Sequence, residues 1–379
     1  MDKKTHHLGI FVSSLNIGGA EKVAITMANE FVGSGVRVDL IVMNAEGAMS
    51  SQVSPKVHII DLGTKRGRSS FFSLLRYIKS SRPEAILSLL TVPNSLLGLT
   101  KIILQRKSPW LVGSERSYIT DTNQRAGRKI VTYFLYAIAS RIGYRMLDMN
   151  VALTSGISDR MKAQRLVKPS KIVVLPNPID LTRISFDKDS SAPLNGRIQL
   201  LAVGRLDDLK DYPTMIRAVN ILRGTREVSL AILGDGEKRR ELQSLIDELN
   251  LSGIVTLYGF VADTSSWYRT ADLLILSSKI EGFPNVIVEA LAHGVPVVST
   301  DCLTGPRDIL TRSCYGSLVP VGDYSALAAA VLQACSQDFD RDVLRARAED
   351  FESRKICNLY LQLLVNEPGG QTNLAMPLS

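Results

Sequence analysis

Cysteine, histidine and aromatic residues are scarce in this chain of 379 residues: four cysteines, four histidines and 6% Phe, Trp and Tyr. Cys302, Cys314, Cys335 and Cys357 lie far apart with no Cys-x-x-Cys pair. That excludes a zinc ribbon or dense disulfide framework and predicts reduced, mostly buried thiols. Of His6, His7, His58 and His293 only the first two adjoin, and two histidines alone make no metal site. No Gly-x-Gly-x-x-Gly is present, which argues against a nicotinamide dehydrogenase. Zinc-finger and RNP patterns are missing, as is a dense Lys/Arg stripe, so nucleic acid is not the expected partner. The best apolar run, AILSLLTVPNSLLGLT at 85–100, is uncharged for only 16 residues and contains Pro93 and Asn94, too short and broken to span a bilayer. The opening MDKKTHHLGIFVSS lacks the apolar core and cleavage site of a secretory signal, which predicts a cytoplasmic protein.

What the chain does have is length and apolar content. With 379 residues, 45% hydrophobic and 22% charged, it exceeds one ordinary domain and suits two, each with its own core. The net charge of +8 is unevenly placed: residues 1–170 carry 24 Lys and Arg against 11 Asp and Glu, the remainder 21 against 26. A basic first half predicts an anionic partner there, either phosphates or an acidic membrane face. RKIVTYFLYAIASRIGYRML at 128–147 is helix-length and apolar between Arg128 and Lys129 on one side and Arg141 and Arg145 on the other. That pattern fits a helix lying on an anionic leaflet, and equally a core helix with solvated basic ends.

Strand-like and helix-like segments alternate almost from end to end. LGIFVSSL, VRVDLIVM, VHIIDL, EAILSLL, WLVGSE, NVALTS and KIVVLPN are strand candidates over 1–175. A Pro/Asp/Ser-rich stretch at 176–196 reads as a linker. The alternation restarts over 197–340 with IQLLAVGRL, VSLAILGD, IVTLYGF, LLILSS, VPVVST and SLVPV. Near-continuous Val/Ile/Leu strands separated by helices predict parallel sheets covered on both faces. The fold class is therefore α/β, with two doubly wound domains binding ligand at the carboxyl ends of their strands. A helix-like stretch at 341–366 follows, then a tail at 367–379 with little to bury.

Four strand-to-helix turns carry chemical signals. In Asn16-Ile17-Gly18-Gly19-Ala20-Glu21, paired glycines let the backbone approach a ligand, and the next helix offers unpaired N–H groups to a phosphate. A glycine turn by itself is also just a turn. Gly204-Arg205-Leu206 with Lys210-Asp211 sets two cations at a strand's end, placed to neutralise a diphosphate from two directions. Two solvated surface cations would look the same. Leu233-Gly234-Asp235-Gly236 reads as a tight turn. In EGFPNVIVEALAHGVP, Pro284 fits the first turn of a helix that Gly294 closes. The N–H groups of Phe283, Asn285 and Val286 then point at a ligand, and the carboxylate of Glu289 is suited to a sugar's neighbouring hydroxyls.

The order GGAE, NPID, GRL with KD, GDG, GF, EGFPNVIVEA, GVPVVSTD and GPRDIL resembles the retaining glycosyltransferases of family 4, over roughly residues 8–335. Asp301-Cys302 with Gly305-Pro306-Arg307-Asp308 is similar to a subgroup that builds bacterial glycolipids, lipid-linked oligosaccharides and surface polysaccharides. The resemblance implies the GT-B architecture, two Rossmann-like domains facing across a cleft, with the final helix crossing back to the first domain. It implies that Gly18 and Gly19 approach the donor diphosphate and that Arg205 and Lys210 clamp it beside Gly204. Glu281 is then catalytic and touches the donor hexose, while Glu289 holds the ribose. Gly282, Phe283, Pro284, Asn285 and Val286 line the sugar and phosphate pocket, and Gly259 and Phe260 the base. The implied reaction moves a hexose or N-acetylhexosamine from a nucleotide sugar, a UDP-sugar foremost, to a glycan or lipid-linked acceptor. It needs no metal and no cofactor beyond the nucleotide-sugar co-substrate. The implied location is the inner face of the cytoplasmic membrane.

One departure stands out. Many family members carry a histidine after the strand corresponding to LVGSE, where this chain has Ser114-Glu115-Arg116-Ser117. Glu115, Arg116 and Ser117 are therefore the acceptor-side candidates. Two rival classes are a sugar-nucleotide epimerase of the same architecture, which would convert donor without acceptor, and a non-catalytic nucleotide-sugar-binding subunit. The full set Arg205, Lys210, Glu281 and Glu289 argues against the second.

Overall fold

The computed structural model describes residues 5–16, 18–64, 67–116, 130–182, 184 and 197–365. The chain forms two compact units, Met1–Asp180 with Glu352–Pro377, and Leu181–Phe351. Each strand candidate in the sequence becomes a strand; central strands such as Ala85–Leu89 and Leu273–Leu276 bury both faces as a parallel sheet requires, while the edge strand at His58–Asp61 is largely exposed.

Unit 1 runs β1 (His7–Ser14), α1 (Gly19–Gly33), β2 (Arg37–Asn44), β3 (His58–Asp61), α2 (Gly67–Ser81), β4 (Ala85–Leu89), α3 (Thr91–Leu104), β5 (Trp110–Glu115), α4 (Ile130–Met146), β6 (Met149–Ala152), α5 (Ser155–Ala163) and β7 (Ile172–Val174). Its sheet is all parallel in the order β3-β2-β1-β4-β5-β6-β7. Leu8, Ile10, Leu40, Leu87 and Val112 build the core with Met27 and Phe31 of α1. The strands' carboxyl ends share one edge, so Gly18, Thr91, Glu115 and Asn177 all follow strand ends there.

Helices α3 and α4 meet backbone to backbone, since a Cβ on Gly98 would strike the Gly143 carbonyl. Arg141 and Arg145 do not simply face solvent. Their guanidinium groups donate to the carbonyls of Gln164 (2.8 Å) and Arg165 (3.1 Å), just past the end of α5. Ile138 and Ile142 of α4, and Ile102 and Ile103 of α3, are exposed. Residues 128 and 129 lie outside the described residues. Among the described residues no helix is long and apolar enough to cross a membrane.

Unit 2 runs β8 (Ile198–Val203), α6 (Tyr212–Leu222), β9 (Val228–Leu233), α7 (Arg239–Glu248), β10 (Val255–Gly259), α8 (Ser265–Thr270), β11 (Leu273–Leu276), α9 (Asn285–Ala292), β12 (Val297–Thr300), α10 (Pro306–Ile309), β13 (Gly316–Val319), α11 (Tyr324–Cys335) and α12 (Arg341–Glu349). Its parallel sheet has the order β10-β9-β8-β11-β12-β13. Loops after β8 and β11 are neighbours because those strands pair.

Two boundaries differ from the sequence reading. The stretch 341–366 is two helices, α12 and α13 (Ser353–Val365), broken at Asp350–Glu352. Phe351 ends α12 buried edge-on to Phe283, 5.4 Å between centroids, whereas α13 packs on α1 and β4 in unit 1. Tyr360 and Trp110 fix α13 there, donating to and receiving unit 1 partners: Tyr360 OH to the Leu175 carbonyl (3.3 Å), and Trp110 Nε1 to the Leu363 carbonyl (3.1 Å). The start of the stretch read as a linker also belongs to unit 1, with Asn177 and Ile179 buried and Ile179 bridged to Glu352. Its remainder lies mostly, and the tail at 367–379 wholly, outside the described residues.

Candidate active site

The site in unit 2 is assembled from two loops stitched together at the carboxyl ends of β8 and β11. After β8, the Tyr212 hydroxyl donates to the Gly204 carbonyl at 3.0 Å, which holds the loop against the start of α6. The buried Asp207 carboxylate accepts from the Leu209 and Lys210 amides at 2.9 and 3.3 Å, and from Arg205 Nε at 3.1 Å. Most of the Arg205 side chain remains exposed. Asp211, the N-cap of α6, takes left-handed φ and ψ of 48° and 43°, an uncommon conformation for a non-glycine residue. It turns the chain directly after Lys210.

The second loop meets the first through two hydrogen bonds to backbone carbonyls and two ion pairs, one of them Lys279 with Asp211 at 3.5 Å. Lys279 N donates to the Leu209 carbonyl at 2.8 Å, and Ser277 Oγ to the Lys210 carbonyl at 2.8 Å. Lys210 Nζ lies 2.6 Å from Glu281 Oε1. Ser278 Oγ donates to the same oxygen at 2.6 Å, and Thr304 Oγ1 to the Glu281 carbonyl. Glu281 is only 8% exposed, so its carboxylate is held in one orientation by a cation and a hydroxyl. Gly305 has φ +99°, and a Cβ there would fall 2.6 Å from Pro284 Cδ; glycine is what lets this loop pass beside the start of α9. Cys302 is buried next to these residues, and burial, then the Glu281 charge, pushes its thiol up to about 12.

Helix α9 begins at Asn285, so Pro284 is its N-cap rather than a residue of its first turn, and no side chain caps it. Phe283 is buried, fixing the loop that carries Gly282. One turn along, Glu289 Oε2 accepts from the fully buried Tyr268 hydroxyl at 3.0 Å. Burial, then the Glu289 charge, raises the Tyr268 pKa well above its usual range, so it stays a donor. The Tyr268 ring stacks on His293 at 5.0 Å and 19°, and His293 Nδ1 donates to the Glu289 carbonyl at 2.8 Å. His293 thus closes α9, and Gly294 (φ +73°) follows it. Gly259 ends β10, and Phe260 beyond it is 58% exposed, an aromatic face open to a planar ligand.

In unit 1, Gly18 is the extended N-cap of α1, and the Glu21 carboxylate lies where a Gly18 Cβ would be. Nothing stands near the missing Cβ of Gly19. Glu115 is fully buried at the end of β5. Its carboxylate accepts from the Tyr144 hydroxyl, from Thr91 Oγ1 at 3.4 Å and from the Arg116 amide at 3.1 Å. Arg116 is also buried, its Nη1 bound to Asn177 Oδ1. Ser117 lies outside the described residues. The structure thus brings Lys210 and Glu281 together, leaves Arg205 on the same loop paired with Asp207, and separately sets Glu115 beside Arg116 with the Glu115 carboxylate turned inward.

Sequence reasoning missed Ser278, Thr304, Tyr268, Tyr144 and Asn177. Ser278 and Thr304 stand within three residues of quoted motif residues and were open to notice. Tyr268, 21 residues before Glu289, and Tyr144, 29 after Glu115, carry no local signal.

Two parallel-sheet Rossmann-like units with these loops define the GT-B class of glycosyltransferase. Solved structures agree: the Anabaena HepE crystal structure in complex with UDP-glucose superposes with TM-score 0.77 at 20% identity, covering 95% of this chain and 99% of that one. The apo lipopolysaccharide outer core galactosyltransferase WaaB gives TM-score 0.70 at 18% identity, covering 94% and 98%. The family described as "Glycosyl transferases group 1" matches residues 197–337, and that described as "Glycosyltransferase Family 4" matches 17–183. The lipopolysaccharide core biosynthesis glycosyltransferase LpsE of Rhizobium meliloti is 32% identical over 60% of this chain and 68% of its own. A second relative, the Campylobacter jejuni N-acetylgalactosamine-N,N'-diacetylbacillosaminyl-diphospho-undecaprenol 4-alpha-N-acetylgalactosaminyltransferase, is 27% identical over 94% and 99%. The chain belongs to the group 1, family 4 glycosyltransferases and is an enzyme of that type.

Proposed function

We propose that this glycosyltransferase retains anomeric configuration, moving a hexose or N-acetylhexosamine from a UDP-sugar to a lipid-linked glycan acceptor in bacterial surface polysaccharide, glycolipid or oligosaccharide synthesis. The observation that carries the reading is the Lys210–Glu281 pair, 2.6 Å apart, beside the uncapped start of α9. An ammonium, a guanidinium at Arg205 and helix N–H groups are the groups needed where charge grows on a departing diphosphate. Glu281, oriented by Ser278, would touch the hexose that follows that diphosphate. Glu289, held by Tyr268, would take the ribose hydroxyls. The acceptor oxygen bonds to the face of the anomeric carbon from which the nucleoside diphosphate leaves, the hydroxyl proton passes to the departing phosphate oxygen, and the remaining charge on the phosphate is met by Lys210 and Arg205.

The UDP-sugar assignment draws support from the UDP-glucose complex of the Anabaena protein, and the lipid-linked acceptor from the undecaprenol-diphosphate substrate named for the Campylobacter relative. A peripheral position on the cytoplasmic membrane face fits the exposed Ile102, Ile103, Ile138 and Ile142 and the basic first half of the chain. Incubating the protein with a panel of nucleotide sugars and membrane lipid extract should release nucleoside diphosphate from one donor and add one sugar mass to a lipid product. If every nucleotide sugar neither binds nor turns over, the reading fails. A protein that stays wholly soluble with anionic liposomes at low salt would remove the membrane part alone.

A further inference from the structure

Arg116 is only 8% exposed at the carboxyl end of β5, yet most of its hydrogen-bonding capacity is unused. Nη1 donates to Asn177, while Nε and Nη2 have no partner. A buried guanidinium with open donors is a costly arrangement, and such groups are normally satisfied by a protein atom, a water or a bound ion. Burial lowers the Arg116 pKa, with Tyr360, Glu115 and Glu21 opposing. The adjacent Glu115 does not close the gap, because its carboxylate accepts from Tyr144, Thr91 and the Arg116 amide.

A second feature points the same way. Helix α1 spans 15 residues and opens on Gly18-Gly19, with the carboxylate of Glu21 in its first turn lying against Gly18. Its start lies on the same sheet edge as Arg116, since β1 and β5 flank β4 in a parallel sheet. Glu21 of its first turn is close enough to act on the Arg116 charge. The unpaired guanidinium donors, near the glycine turn that opens α1, make a site for a tetrahedral anion.

We propose that Arg116, positioned by Asn177 beside the start of α1, binds a phosphate or diphosphate group of a substrate within unit 1. The site stands on the unpaired donors; only the source of the anion rests on the transferase reading. That source is the diphosphate of the lipid-linked acceptor or that of the nucleotide donor.

The test is calorimetric titration of the full chain with inorganic pyrophosphate, alone and at saturating UDP, for the native protein and for Arg116→Gln. Pyrophosphate should bind, and Arg116→Gln should weaken it roughly ten- to a hundredfold, the range for a lost hydrogen bond to a charged group. Binding that persists at saturating UDP and falls in Arg116→Gln assigns the anion to the acceptor. Binding abolished by UDP, with UDP itself weakened in Arg116→Gln, assigns it to the donor. Arg116→Lys keeps the charge but not the planar fork and should fall between; it serves if Arg116→Gln does not fold. Unchanged pyrophosphate and UDP affinity in the variants, or no pyrophosphate binding to the native protein, would overturn the site. Either result is read without turnover, so an enzyme that transfers sugar but ignores Arg116 refutes this site and leaves the transferase reading standing.

Discussion

In unit 2 a carboxylate and an ammonium from different strand ends, Glu281 and Lys210, neutralise each other at 2.6 Å. In unit 1 a carboxylate and a guanidinium adjacent in sequence, Glu115 and Arg116, do not: the acid is satisfied by a phenol, a hydroxyl and an amide, and the cation keeps two open donors. Each arrangement sits beside a strained, left-handed non-glycine residue, Asp211 (φ 48°) in unit 2 and Leu90 (φ 79°) in unit 1. The difference lies in what a ligand must do. On the proposed reading, a diphosphate arriving in unit 2 would compete with Glu281 for an ammonium that can make three hydrogen bonds. In unit 1 the proposed anion would fill donors that have no other partner.

The largest effect expected tests whether the unit 2 pair acts as one device. Lys210→Ala should lower kcat by about 10² to 10³, the range for losing one electrostatic donor at a developing charge. Glu281→Gln should also chiefly reduce turnover. If the pair is a unit, Lys210→Ala with Glu281→Gln should lose little more than the worse single change, because each removes the other's partner. Steady-state kinetics on all three variants decide it, and losses that multiply would separate the two residues.

Next in size is a stability effect in unit 1. Glu115→Ala strands the Tyr144 hydroxyl, Thr91 and the Arg116 amide in the interior. Unfolding in urea should show a loss of about 3 kcal/mol. Tyr144→Phe, which removes one donor and leaves two, should lose less, about 1 kcal/mol. Equal stability of Glu115→Ala and the native chain would mean that water replaces the network and that Glu115 is no scaffold.

The asymmetry between the units also explains what was legible in the sequence. Strands were legible throughout, because a run such as LLILSS or WLVGSE must bury both faces and says so in its composition. The Lys-Asp and Glu-x7-Glu elements stood out through the order of motifs that carries the family resemblance. Their junction did not, since Lys210 and Glu281 stand 71 positions apart and only the pairing of β8 with β11 joins them. Asn177 was quoted within NPID but given no role, because Pro-Asn-Pro reads as part of a linker; in the fold it accepts from the Arg116 guanidinium. The break between α12 and α13 was hidden because nothing in Asp350-Phe351-Glu352 is a helix breaker; Phe351 there packs on Phe283 and under Arg347.

A smaller effect separates orientation from chemistry at the second glutamate. Glu289→Ala should chiefly weaken donor affinity. Tyr268→Phe removes the 3.0 Å hydrogen bond that aims Glu289 while keeping the ring on His293. Donor KM should rise about fivefold, the equivalent of about 1 kcal/mol, with kcat nearly unchanged. A fall in kcat at constant KM would move Glu289 from binding to turnover.

The smallest effect is a pH dependence confined to unit 2. Burial lowers the His293 pKa below its ordinary value of about 6.5, so the folded chain holds the ring neutral where the unfolded chain would protonate it. Between the folded value and about 6.5 the unfolded state binds the extra proton, so stability rises with pH across that window. His293 therefore contributes stability that is present above about pH 6.5 and is lost as the pH falls toward its folded value. A glutamine can keep the hydrogen bond to the Glu289 carbonyl but cannot titrate. The drop in Tm between pH 7.5 and pH 5.5 should accordingly be smaller in His293→Gln than in the native protein. Parallel Tm profiles would place the acid sensitivity elsewhere and leave His293 a packing residue only.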